Sequence, residues 1–291
     1  LNNSLKERYA SFKAENPKVR IRDAATQLGV SEVELVAVQA GSTALVPKFE
    51  DILNDIKNLG QVMALTRNDH AVHERKGIYT KASFNGHIGL VVNPDIDLRL
   101  FMQQWKHVFA VQEEGCKSLQ FFNAQGDAIH KIYLTPESDA HAYEQLLLTF
   151  QVQEATTLEI VKAAAVPAEK ADQEIDVIKV QEEWRALKDT HDFFGILRRH
   201  GLSRRQAMRL APEGYTLQLG KEKVEQLLHL AAAADLDIMV FVGNNQCIQI
   251  HTGKVSKIVR TGPWINVLDA EFSMHLRDEA IESLWLVKKP T

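Results

Sequence analysis

The sequence predicts an α+β fold built as a tandem structural repeat. Each copy opens with a helical segment and continues into a largely antiparallel β-sheet with packed helices. Three observations lead there. Helical periodicity and capping residues fill positions 5–59, whereas strand-like runs between turn signals dominate 61–134. The same order then recurs: Gly29-Val30-Ser31 pairs with Gly201-Leu202-Ser203, Phe12 with Trp184, Met63 with Met239, Asn68 with Asn244, Gly77 with Gly253 and Phe109 with Trp285. Identity between the copies is low, so the shared order carries the argument, for a duplication of about 150–180 residues per copy. Finally, 291 residues with 45% hydrophobic and 25% charged content suffice for two ordinary globular domains.

Each element has a local cause. Residues 5–15 form a helix that ends at Asn16-Pro17, because proline disfavours helix in the residue before it. A second helix, 22–28, stops at Gly29, and Ser31 caps a third ahead of Glu32 and Glu34. An amphipathic helix covers 49–59. Strands are expected at 61–67 and 71–76 around Asn68-Asp69-His70, at 87–92, at 97–100 leading into a short helix, and at 108–113. Residues 118–123 and 128–134 form a hairpin, and 141–150 a helix. The small and charged residues of 156–179 read as a linker. The expected domains are 1–155 and 180–291. No counterpart of the 118–134 hairpin or the 141–150 helix precedes Thr291, so the second copy is expected to be truncated at its C-terminus. The break at Asn16-Pro17 maps near Lys188-Asp189, which predicts Thr190 as an N-cap and His191 in the first turn of a new helix.

The net charge of -4 and pI of about 6.3 give no global basic footprint for nucleic acid or anionic lipid. Cys116 and Cys247 form no CxxC pair and no disulfide framework, which suits a reducing cytoplasm. Neither a signal peptide nor an apolar run long enough for a membrane span is present.

Several residues could carry chemistry. Residues 24–31, followed by Val33 and Leu35, resemble a helix-turn-helix, and a DNA-binding regulator is the alternative reading. Glu32 and Glu34 would face phosphates, although the second copy is basic there. His70 and His73 bracket a strand start without a third ligand, so His73 is a turn or surface histidine or a single axial ligand. Trp184, Leu187, His191 and Phe194 would share one apolar face on a continuous helix. His191 is then either a core histidine with a hydrogen-bond partner or a ligand. Arg99 is either ion-paired with Asp97 or Asp95, or a guanidinium above an open ligand position. Arg198, Arg199, Arg204, Lys288 and Lys289 are solvated, or hold carboxylates. No Walker A, GxSxG or GxGxxG motif occurs.

The ordered run AVHE (71–74), NGHIGLVVNP (85–94), IDLRLF (96–101), QFFNAQGDAIHKIY (120–133), EEWRALKDTHDFF (182–194), MVFVGNNQCIQIHTG (239–253), WINV (264–267) and KKPT (288–291) resembles the HemS/ChuS-type haem-utilisation proteins over essentially the whole chain. That resemblance implies a duplicated architecture and haem as cofactor. It also implies a cytoplasmic role in bacterial haem trafficking, with haem degradation and iron release as a further activity that needs an external electron donor. A haem importer or a haem-degrading enzyme is the implied delivery partner, with no nucleic acid and no membrane insertion. His191 matches the proximal iron ligand and Arg99 the distal arginine. Arg204 and Lys289 match basic residues near the propionates, and Phe101 and Phe194 match aromatics beside the pocket. His73 matches a ligand proposed for a second haem in some members. This chain has THDFF where relatives have VHQFF, and NNQC in place of NRGC. The family pattern continues past KPT with a further hairpin.

Overall fold

Gly29 and Gly201 both adopt left-handed backbone, with φ of 70° and 64°, and at each the backbone N–H groups of the cap donate to the last carbonyls of a short helix. The duplication is therefore visible in backbone geometry. In this computed structural model, residues 2–153, 157–163 and 168–290 are described. Residues 156 and 164–167 of the expected linker, together with Thr291, lie outside them.

The first copy runs α1 (Asn2–Glu15), α2 (Ile21–Leu28), α3 (Glu32–Val38), β1 (Ser42–Leu45), α4 (Phe49–Asp55), β2 (Gly60–Arg67), β3 (Ala71–Ile78), β4 (Ser83–Asn85), β5 (Ile88–Val92), β6 (Asp97–Phe101), β7 (Trp105–Glu113), β8 (Cys116–Asn123), β9 (Ala128–Ser138) and α5 (Ala140–Phe150). The second runs α6 (Val177–Arg185), α7 (Phe193–His200), α8 (Arg204–Arg209), β10 (Thr216–Leu219), α9 (Lys223–Ala233), β11 (Ile238–Gly243), β12 (Cys247–Gly253), β13 (Ile258–Thr261), β14 (Trp264–Leu268), β15 (Phe272–Arg277) and β16 (Leu284–Val287). The mixed α+β class, the antiparallel pairing and the repeated element order agree with the sequence reading.

The expected linker is shorter than predicted. Asp172 is held by Gln206 at 2.8 Å and by Arg209 at 3.1 Å, and Asp176 caps α6. These carboxylates draw residues 172–179 into folded structure.

The two sequence copies are not the two compact units. One unit combines residues 1–163 with 228–277, and the other 164–227 with 278–291. The first unit holds a nine-stranded sheet, β1-β7-β8-β9-β2-β3-β15-β14-β13, and a five-stranded sheet, β11-β12-β6-β5-β4. Each copy's leading hairpin thus carries the other copy's three-stranded meander: β3 pairs with β15, and β12 with β6. The paired asparagines lock this exchange. Asn68 Oδ1 accepts from the backbone of His70 and Ala71, and its Nδ2 donates to the Gly243 carbonyl at 3.0 Å. Asn244 does the reciprocal: its Oδ1 accepts from Gln246 and Cys247, and its Nδ2 donates to the Arg67 carbonyl at 3.0 Å.

The core of this unit lies between the two sheets. Leu98, Leu100 and Val91 from one sheet meet Val62, Ala64, Phe121 and Ile132 from the other. Some polar groups inside it find local partners. His130 lies between the Thr66 hydroxyl (2.8 Å) and the Tyr79 hydroxyl (2.6 Å), and Gln249 Nε2 donates to the Ala64 carbonyl at 3.0 Å.

The second unit has its own core of Val180, Trp184, Leu187, Phe193, Ile196, Leu197, Ala207 and Met208. Trp184 and Phe193 meet edge-on with ring centroids 4.6 Å apart, a geometry that adds about 0.5–1.5 kcal/mol to area burial. Strands β10 and β16 pair alongside, as β1 and β7 do in the first copy.

The helix-turn-helix reading fails on burial. Val33, Leu35 and Val36 of α3 are fully buried, and Glu32 is buried against Lys131 at 2.5 Å. That helix presents no face to a groove. In the second copy, Gln206, Ala207 and Met208 are buried, while Arg205 pairs with Glu282 and Arg209 with Asp172.

Candidate functional site

The chain leaves α6 at Ala186, and a 3₁₀ turn, Thr190–Asp192, leads directly into α7. Asp189, not Thr190, caps that turn. Its carboxylate accepts from the His191 backbone N–H at 2.8 Å and from the His191 ring Nδ1 at 2.6 Å. A carboxylate only accepts, so Nδ1 carries a proton, and in the neutral ring the lone pair sits on Nε2. These two hydrogen bonds, the backbone one first, hold Asp189 below the usual carboxylate range.

The break also overturns the core-histidine reading. A continuous helix would have buried His191 beside Trp184. Instead its side chain is 85% exposed, and Nε2 opens to solvent. Phe193 rather than Phe194 turns into the core, and Phe194 stands 57% exposed.

Two cations complete this surface. The Arg204 guanidinium lies 4.9 Å above the Phe194 ring, and Lys289 Nζ lies 4.4 Å above the Phe193 ring. Trp184 positions the lysine by donating its indole N–H to the Lys288 carbonyl at 3.1 Å. Burial, and then repulsion from Arg204, lowers the Lys289 pKa. An anion shared by the two cations would relieve that repulsion. Of the other basic residues, Arg199 pairs with Glu183, and Arg205 and Arg209 pair with carboxylates.

The remaining expected residues lie in the other unit. Along β6, Leu98 and Leu100 point into the core, while Asp97, Arg99 and Phe101 line the outward face. Arg99 is ion-paired with Asp97, and its strand neighbours in register are Leu90 and Ile248. The same face of the sheet carries exposed Ile88, Val92, Met239 and Phe241.

His73 is neither a turn nor a surface residue. It is 0% exposed on the inward side of β3, in register between Thr66 and Met274, and both ring nitrogens lack partners. Its ring lies 4.9 Å from Phe272, which stacks at 3.8 Å on His251. Burial, then the neighbouring His251 and Arg75, lowers its pKa to about 3. Neither nitrogen can reach a ligand at the surface.

The donor set restricts what His191 could hold. Among the described residues, no three His, Cys, Asp or Glu side chains converge on a metal position. A metal at His191 must therefore bring most of its ligands with it. An iron macrocycle with carboxylate tails fits: one nitrogen ligand, one exposed aromatic, two cations. Sequence reasoning missed Asp189 and the Trp184–Lys288 bond. The first was signalled by Asp-Thr-His, an acidic cap two residues before the histidine.

Known proteins share this architecture. The domain family described as "Haemin-degrading HemS.ChuX domain" matches residues 29–150 and 201–291, one segment in each copy. The hemin transport protein HmuS of Yersinia pestis is 41% identical over 298 residues, spanning 100% of this chain and 86% of the relative. The crystal structure of holo-PhuS, a heme-binding protein from Pseudomonas aeruginosa, superposes with a TM-score of 0.97 at 43% identity, covering 100% of this chain and 87% of that one. The heme degrading enzyme ChuS of Escherichia coli O157:H7 gives a TM-score of 0.92 at 35% identity, with 100% and 87% coverage. By family match, identity and coverage, the chain belongs to the haemin-degrading HemS/ChuX domain family.

Proposed function

We propose that this chain binds haem and carries it in bacterial haem uptake, with His191 Nε2 as the axial ligand of the iron. The observation that supports this reading most directly is the exposed His191 ring, whose Nδ1 is engaged by Asp189 so that Nε2 is the nitrogen left for a ligand. Phe194 offers an aromatic face to the macrocycle, and Arg204 and Lys289 neutralise the propionates. The family resemblance assigns a distal role to Arg99 and an aromatic one to Phe101, and Asp97 orients that guanidinium along their own strand. Held by these residues, the haem would supply an iron centre able to bind small oxygen or nitrogen ligands. The relatives named hemin transport and heme-binding proteins support this assignment.

The place of action is the cytoplasm, which free Cys116 and Cys247 suit. The exchange partner is a haem importer or a haem-degrading enzyme. Hemin titration tests the reading. The wild-type chain develops a red-shifted Soret band that saturates, and His191→Ala loses that band. A variant with an unchanged Soret position and affinity refutes the ligand assignment.

A further inference from the structure

The two hydrogen bonds that Asp189 accepts from His191 do different work. The one from the backbone N–H, at 2.8 Å, is a cap that starts the 3₁₀ turn, and any side-chain oxygen at that position would serve. The one from ring Nδ1, at 2.6 Å, is charge-assisted. It fixes the plane of the imidazole, and it draws the Nδ1 proton toward a full negative charge. Electron density then shifts onto Nε2, the atom that faces outward.

His200 also meets a carboxylate, but through Nε2, the half-buried ring packing against Glu183 at 3.1 Å, whereas three other histidines have neutral partners. His130 sits between two hydroxyls, His251 donates to a carbonyl, and His275 bonds to the Asn266 amide. A neutral acceptor orients a ring without strengthening its lone pair to the same degree. Asp189 and His191 are also both exposed, so the pair stands at the surface rather than in a core.

Resting on the reading of His191 as iron ligand, we propose that Asp189 is a positioning residue that makes His191 a stronger donor and biases the bound iron toward the ferric state. A more anionic imidazole stabilises the higher charge on the metal. The cargo would then stay oxidised during transit.

The test compares Asp189→Asn and Asp189→Ala in the full chain loaded with hemin. Asparagine keeps an oxygen for the cap and for Nδ1–H but removes the charge. Spectroelectrochemistry reads the ferric/ferrous midpoint, and resonance Raman of the ferrous complex reads the iron–histidine stretch. The Asn variant is expected to keep the coordination, to shift the midpoint positive and to lower the stretching frequency. The Ala variant adds a loss of hemin affinity of roughly 10-fold or more. An Asn variant with the wild-type midpoint and frequency reduces Asp189 to a cap and overturns the proposal. Failure of the ligand reading looks different: the wild-type ferrous complex then shows no iron–histidine band, or His191→Ala retains it.

Discussion

His73 offers a quantitative test of how burial couples to acid stability. Its ring is fully buried between the sheets with no partner on either nitrogen, and its pKa is lowered to about 3. The groups facing it are His251, Arg75 and His130, none of which compensates a charge on it. In the unfolded chain the ring titrates near 6.5. The unfolded state therefore binds more protons between the two values. The contribution is fully present above pH 6.5 and is lost as pH falls toward 3. Integrated from pH 7.5 to 5.0, one such histidine removes about 2 kcal/mol of stability. His130, also lowered to about 3 by burial, adds a second loss of the same sign. Replacing His73 with leucine removes an orphan polar group, which by itself costs about 1–3 kcal/mol. Urea unfolding of wild type and His73→Leu at pH 7.5 and 5.0 reads the effect. The variant is expected to lose about 2 kcal/mol less on acidification, and to be no less stable at pH 7.5. An unchanged acid-induced loss in the variant would refute the reasoning.

Two further outcomes follow from other parts of the molecule. Lys131→Met leaves the Glu32 carboxylate buried without its partner, at a cost of about 3–5 kcal/mol, and adding Glu32→Gln recovers most of it; a double-mutant cycle by chemical denaturation measures this. Hemin titration should end at one equivalent per chain. In the repeat alignment, the first-copy counterparts of His191, Arg204 and Lys289 are Val19, Glu32 and Glu113, with both glutamates already paired to lysines. A second saturating phase with a coordinated Soret band would contradict that.

Much of the fold was readable because its causes are local. Gly29 and Gly201 mark helix ends by their backbone freedom, and Ser31 and Ser203 mark helix starts by their hydroxyls. The exchange of meanders was not readable. The alternation of Phe272 and Met274 shows that β15 has a buried face, but not that β3 is its neighbour. Pairing between strands so far apart in sequence depends on the whole assembled sheet. The site was legible in the same uneven way. Resemblance pointed to His191, Arg204, Phe194 and Lys289, and the structure places these four in one unit. Apolar spacing misplaced His191 in the core because it assumed a helix that Asp189 interrupts. His73 looked exposed because it follows a turn, yet β3 is buried from its first residue by β15, an element contributed by the other copy.

The pairing of β3 with β15 also constrains how the chain is made. His73 lies opposite Met274, so the edge of β3 waits for about 200 further residues before its neighbour exists. At a synthesis rate of roughly 5–20 residues per second, that interval is about 10–40 s. During it, the nascent first copy presents an open strand edge carrying Val72 and Ile78. The nine-stranded sheet is thus completed only after β15 has been synthesised, which makes its closure a late step that joins both copies.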